Sequence, residues 1–136
     1  MIVGTGIDLT QIARIQHSIE RYGSRFLNRV YTPAEQAYCL RKRNSAESFA
    51  ARFAAKEAGA KALGTGISRG VSWLEIEVVR EPGSRPRLKF HGRAASDAEH
   101  LAYNAHPDHS HHYDERCLVE GDVMPLDTAR REGEQW

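Results

Sequence analysis

FAARFAAKEAGAKALGTG, Phe49 to Gly66, is the stretch from which the rest of this 136-residue chain can be read. Rich in alanine and ending on Gly64-Thr65-Gly66, it predicts one helix with a glycine stop. On a 3.6-residue wheel Phe49, Phe53, Ala60 and Leu63 stack along one face, and Lys56 falls on that same face. Arg52 borders the apolar stripe on one edge. Glu57 and Lys61 form an i,i+4 pair on the other. A lysine inside an apolar stripe can snorkel its amine to water. Alternatively, the helix is one wall of a seat for a polyanion, with Glu57 holding a divalent cation between phosphate oxygens. That second reading needs another carboxylate from elsewhere in the chain.

Upstream, Ile2 to Asp8 predicts a short strand in which Gly4 and Gly6 mark close backbone approach or a bulge. Asp8 ends that strand just before a helix, where an aspartate serves either as a ligand or as a cap. Thr10 is the expected N-cap of a helix over Gln11–Tyr22, with Ile12, Ile15, Ile19 and Tyr22 inward and Gly23 as its stop. Arg14 and Arg21 share the opposite face and Arg25 follows the break. They are either a solvated surface or a docking face for an acidic partner. Ser24 to Val30 reads as a short helix. Thr32-Pro33-Ala34-Glu35 then gives a full helix start: threonine cap, proline in the first turn, and glutamate to close the capping box.

Downstream, Gly64-Thr65-Gly66 and Ser68-Arg69-Gly70 form a glycine-bearing connection able to cradle phosphate, too irregular for a Walker loop. From Val71 the period changes to two. VSWLEIEVV predicts a strand with Leu74, Ile76 and Val78 inward, EPGS a turn, and Pro86 to His91 the second strand of a hairpin with Leu88 and Phe90 inward. Arg93 to Asn104 predicts a helix with Ala94, Ala98, Leu101 and Ala102 inward. A hairpin is marginal alone, so the N-terminal strand and a late strand at Cys117–Val119 are expected to complete the sheet. The fold class is α+β, helices against a small antiparallel sheet. One domain spans 1–124, with an irregular His-rich segment at 104–116 and a polar tail at 125–136.

Nineteen basic residues against 18 acidic ones give no nucleic-acid signal. No apolar run nears the roughly 20 residues of a membrane span, so neither a nucleic acid nor a membrane is expected as a partner. Met1 leads into Ile2-Val3-Gly4 without a basic region and a long apolar run, and there are only two cysteines. A cytoplasmic protein is the expectation.

Two segments together carry a resemblance. IVGTGIDLTQIARI, Ile2 to Ile15, and RFAAKEAGAKALGTGI, Arg52 to Ile67, resemble the two signature motifs of the holo-[acyl-carrier-protein] synthase family, the small bacterial 4'-phosphopantetheinyl transferases. FLNRVYTPAEQAYC and GVSWLEIEVVREPGSRPRLKFHGRA are similar to the segments between and after them, so the likeness covers about residues 1 to 95. It implies a 4'-phosphopantetheinyl transferase-like fold and transfer of phosphopantetheine from coenzyme A to a serine of apo-acyl carrier protein, releasing adenosine 3',5'-bisphosphate. It also implies that Asp8 and Glu57 hold Mg2+ against the pyrophosphate, which supplies the second carboxylate. Asp8, Lys56 and Glu57 are then the catalytic set. Arg52, Lys56 and Lys61, with Gly64 and Thr65, would bind coenzyme A. Arg14, Arg21 and Arg25 would receive the carrier protein, and the assembly would be a homotrimer. After residue 95 the chain departs from the family pattern: HPDHSHHYDERCLVEG stands where a histidine-bearing strand and an apolar strand are expected. The competing function is therefore a non-catalytic or impaired coenzyme A and carrier-protein binding module.

Overall fold

The computed structural model describes residues 3–67 and 70–105. Five helices, α1 (Ile12–Tyr22), α2 (Ser24–Val30), α3 (Pro33–Leu40), α4 (Ser45–Ala62) and α5 (Gly92–Ala105), surround a hairpin of β1 (Ile76–Val79) and β2 (Arg87–Phe90). The strands are antiparallel, in the register Ile76↔Phe90 to Val79↔Arg87. Among the described residues no helix is long and apolar enough to cross a membrane.

Helix α4 runs through both halves of the core. Its N-terminal half presents Phe49 and Ala50 to Ile15, Val30 and Cys39 of the preceding helices and to Tyr31, just past the end of α2. Tyr31 packs on Phe49 at 4.8 Å between ring centroids and donates its hydroxyl to the Phe49 carbonyl at 2.8 Å. The C-terminal half presents Ala60 and Leu63 to Val71, Ile76, Ala94 and Ala98, so the hairpin and α5 close the second half. Gly59 lets α4 approach the sheet. A Cβ there would lie 2.8 Å from a Leu88 methyl, which explains a glycine in a helix interior where it costs about 1 kcal/mol against alanine.

The capping box at α3 forms as the sequence predicts. Thr32 Oγ1 accepts from the Glu35 amide and Glu35 returns the bond to the Thr32 amide at 2.9 Å, with Pro33 at the helix start. The inward faces predicted for α4, β2 and α5 are also found, with Ala94, Ala98 and Ala102 buried and Leu88 and Phe90 half-buried.

Several expectations are corrected. Residues 3–10 make no strand. Gly4 and Gly6 lie on α4 so closely that a Cβ on either would collide with the Ala62 or Ala58 carbonyl, so the segment packs on a helix and not in a sheet. The described sheet therefore has two strands. Residues 73–75 form a 3-10 turn because Ser72 and Glu75 make a second capping box, and this leaves Leu74 41 % exposed. Tyr22 is 52 % exposed at the end of α1, and Thr10 does not cap that helix: its hydroxyl turns back to Asp8. Finally, α5 extends through Ala105, so the first two residues of the segment expected to be irregular are helical. The expected late strand, the histidines from His106 onward and the polar tail lie outside the described residues.

Candidate active site

Two faces of α4 bear chemistry. On the face toward the N-terminal segment, the glycine contacts bring Asp8 alongside Lys61. Lys61 Nζ donates to Asp8 Oδ1 at 3.1 Å and to the Ile7 carbonyl at 3.0 Å. The other Asp8 oxygen accepts from Thr10 Oγ1 at 3.2 Å. Glu57, one turn before Lys61, is half-buried. Burial and then the Asp8 carboxylate raise its carboxyl above the usual range, against the lowering pull of Lys61 and Arg14. The structure thus brings together Asp8, Glu57, Lys61 and Arg14: two carboxylates close enough to repel, with two cations beside them.

Among the described residues no group of three or more His, Cys, Asp or Glu could hold a metal. A pair of carboxylates suits a particular class of ion. Mg2+ takes one or two protein carboxylates and completes its shell with water and substrate phosphate oxygens. Asp8 and Glu57 are hard oxygen donors whose mutual repulsion a divalent cation would relieve, so the residues present fit that ion.

The second region lies around Tyr38. Arg52, 7 % exposed, lays its guanidinium over the Tyr38 ring at 4.1 Å and donates from one terminal nitrogen to the Ser48 carbonyl at 3.5 Å; its Nε has no partner among the described residues. Lys42 sits over the same ring at 4.7 Å and Arg80 donates to the Tyr38 hydroxyl at 3.3 Å. Burial raises the Tyr38 phenol, but Lys42, Arg80 and Arg52 outweigh it and the net shift is downward. Arg52, Arg80, Glu47, Ser48 and Pro86 are among the residues lining a cleft here. Three cations around one tyrosine, with a buried N–H unpaired, suit an anionic group. The sequence pointed to Arg52 but not to Tyr38 or Arg80, whose partners come from elements 42 residues apart and leave no local pattern.

Lys56 is a correction. It was expected to reach phosphate, but its ammonium is wholly buried and donates to Glu35 Oε1 at 2.6 Å, to the Val30 carbonyl at 2.7 Å and to the Trp73 carbonyl at 3.0 Å. All three of its donors are engaged, so none remains for a phosphate. Gly64 is a correction too. With positive φ at Gly64 and Gly66, their amides donate to the Lys61 and Ala60 carbonyls and close the helix, so neither is free to cradle an anion. Thr65 keeps a buried hydroxyl without a partner among the described residues. Arg14, Arg21 and Arg25 are all exposed, as a docking face requires, and Arg21 stacks on Tyr22 at 5.4 Å.

Comparison with known proteins gives one answer. Residues 4–114 match the model of the 4'-phosphopantetheinyl transferase superfamily. The chain is 57 % identical over 112 residues to a holo-[acyl-carrier-protein] synthase of Koribacter versatilis, covering 82 % of this chain and 90 % of that one. It is 56 % identical over 111 residues to the corresponding protein of Maricaulis maris, covering 82 % and 78 %. Among solved structures, it resembles the Helicobacter pylori holo-[acyl-carrier-protein] synthase in complex with coenzyme A, at a TM-score of 0.61 and 35 % identity over 68 % of this chain and 77 % of that one. The Neisseria meningitidis enzyme gives a TM-score of 0.63 and 35 % identity, over 77 % and 82 %.

Proposed function

We propose that this chain, which belongs to the 4'-phosphopantetheinyl transferase superfamily, transfers 4'-phosphopantetheine from coenzyme A to a serine of apo-acyl carrier protein and releases adenosine 3',5'-bisphosphate. The observation that carries the reading is the meeting of Asp8, Glu57 and Lys61 across the N-terminal segment and α4.

In this reading Asp8 and Glu57 hold Mg2+. Bound there, the ion would draw charge from the pyrophosphate and make its phosphorus more open to attack. Lys61, 52 % exposed on its side chain, can leave Asp8 for a phosphate oxygen as the substrate arrives. The serine oxygen attacks the phosphorus nearer the pantetheine arm, and the bond from that phosphorus to the bridging oxygen breaks. The leaving bisphosphate takes the electron pair. Glu57 is the candidate acceptor of the serine proton, directly or through a water, because it is the carboxylate beside the site other than Asp8. Arg52 and Arg80 offer the cleft beside Tyr38 to the remaining phosphates, with Thr65 as a further hydroxyl.

The exposed Arg14, Arg21 and Arg25 are the docking face for the acidic carrier protein. Ile7 and Leu9, 79 % and 71 % exposed on either side of Asp8, are apolar surface that a homotrimer would cover. A cytoplasmic location belongs to the same reading. The test is incubation with apo-carrier protein, coenzyme A and Mg2+, followed by the mass of the carrier. A gain equal to one phosphopantetheine, lost with a chelator, is expected; an unchanged carrier mass overturns the reading.

A further inference from the structure

We infer that Lys56 and Glu35 are positioning residues for the site: their buried ion pair sets the rotation of α4 about its axis and so aims Glu57 at Asp8. The inference rests on the transferase reading for its meaning, though its geometry stands apart from it.

Lys56 and Glu57 are consecutive, so their side chains leave the helix about 100° apart, and whatever fixes one direction fixes the other. Lys56 is held at three points on three segments: the end of α2 at Val30, Glu35 of α3, and Trp73 before β1. Glu35 is itself held, accepting from the Thr32 amide at 2.9 Å and from the Val78 amide of β1 at 3.1 Å. The pair therefore ties α4 to α3 and to the sheet with directional bonds.

Around Glu57 the packing residues of α4 are close but small: besides Lys56 the buried ones are Ala55, Gly59 and Ala60, with Gly59 against Leu88 and Ile76 and with Gly4 and Gly6 on the Ala62 and Ala58 carbonyls. The large side chains, Phe53 on Trp73 at 4.5 Å and the buried Leu63, lie about one turn before and about two turns after. Close contacts of small residues fix the distance of a helix from its neighbours more firmly than its angle, because few large side chains interlock to oppose rotation. At a helix radius of about 5–6 Å, a turn of about 20° moves a side chain by about 2 Å. A misplacement of about 1 Å near reacting groups can cost a hundredfold in rate. Buried polar pairs are best attested in such register-setting roles.

The test uses the full chain with Lys56→Met alone and with Lys56→Met combined with Glu35→Gln, whose single amide oxygen keeps an acceptor for one of the Thr32 and Val78 amides. The single variant leaves Glu35 buried and unpaired, so it can fail to fold. The double variant removes both charges together but leaves one amide and the Val30 and Trp73 carbonyls without their partners, so it is expected to melt below the parent and above the single variant. In it, kcat for transfer should fall about 30-fold or more, while KM for coenzyme A stays within about threefold. A crystal structure of the double variant should show α4 turned and the 3.1 Å contact from Lys61 to Asp8 lost. That structural readout depends on no reaction. If the parent itself transfers nothing, the transferase reading fails while the positional claim is still decided. Unchanged α4 geometry with kcat retained overturns the inference. So does a tenfold rise in KM with kcat retained, which would mean direct contact with substrate, or a double variant that does not fold, which would make the pair a folding determinant only.

Discussion

Two lysine–carboxylate pairs sit on α4, five residues apart, and they differ in almost everything but chemistry. Lys56 meets Glu35 at 2.6 Å with both side chains at zero exposure; Lys61 meets Asp8 at 3.1 Å with exposures of 52 % and 18 %. Inside, every ammonium proton has a fixed acceptor. Burial lowers the Lys56 amine, and the favourable pull of Glu35 offsets only part of that effect. Such a pair does not loosen without leaving an orphan charge. Outside, the contact is weak, water competes for it, and either partner can exchange it for a substrate oxygen. Rigidity and availability are therefore divided between the two faces of a single helix.

Removing one partner of each pair separates the two roles. Lys56→Met leaves the Glu35 carboxylate stranded and should cost about 3–5 kcal/mol of stability, read from a chemical denaturation curve. A loss below about 1 kcal/mol would place the inner pair with ordinary surface pairs. Lys61→Met should do the reverse. Stability should change by less than about 1 kcal/mol, while transfer falls about 100-fold, as for loss of one donor aimed at developing charge. Thermal melts and steady-state kinetics on one preparation would read both. Thr32→Ala, which removes the cap that helps hold Glu35, should cost about 1 kcal/mol. A cost that shrinks in the Lys56→Met background would mark the capping box as support for the inner pair, and an unchanged cost would mark it as an independent element.

The smallest effect is set by pH. The Glu57 carboxyl is raised in the folded chain by burial and by Asp8, so its ionised form opposes folding. The stabilising contribution of the protonated form is fully present below the ordinary value of 4.5 and is lost as pH rises through the higher folded value. Glu57→Gln should therefore melt above the parent at pH 7, and the gain should vanish below pH 4.5. A gain that persists or grows in acid would contradict the assigned cause.

Much of this arrangement was legible in the chain, for reasons that particular residues show. The 3.6 period placed Phe49, Lys56, Ala60 and Leu63 inside, and all four are buried. Periodicity says which way a side chain points but not what it meets. The partner of Lys56 is 21 residues away and, in sequence, looks like an ordinary capping glutamate. Hence an interior tether was read as a phosphate contact. Gly4 and Gly6 imitated the alternation of a strand, yet they are small because the backbone lies on α4. The same confusion of period with cause extended β1 back to Val71, where Ser72 and Glu75 instead close a short turn. The Asp8–Glu57 pairing could not come from spacing, since the two lie on separate elements. It entered as an implication of the family motifs, and the structure brings the two carboxylates into electrostatic range.

The division of labour along α4 is tested most directly by transfer onto apo-carrier protein, followed by mass, for the parent and for Asp8→Asn at matched melting temperature. The account predicts that the parent adds one phosphopantetheine per carrier in a Mg2+-dependent reaction, and that Asp8→Asn, folded as before, adds it at least about 1,000-fold more slowly. Transfer by Asp8→Asn at a rate near the parent's would contradict it.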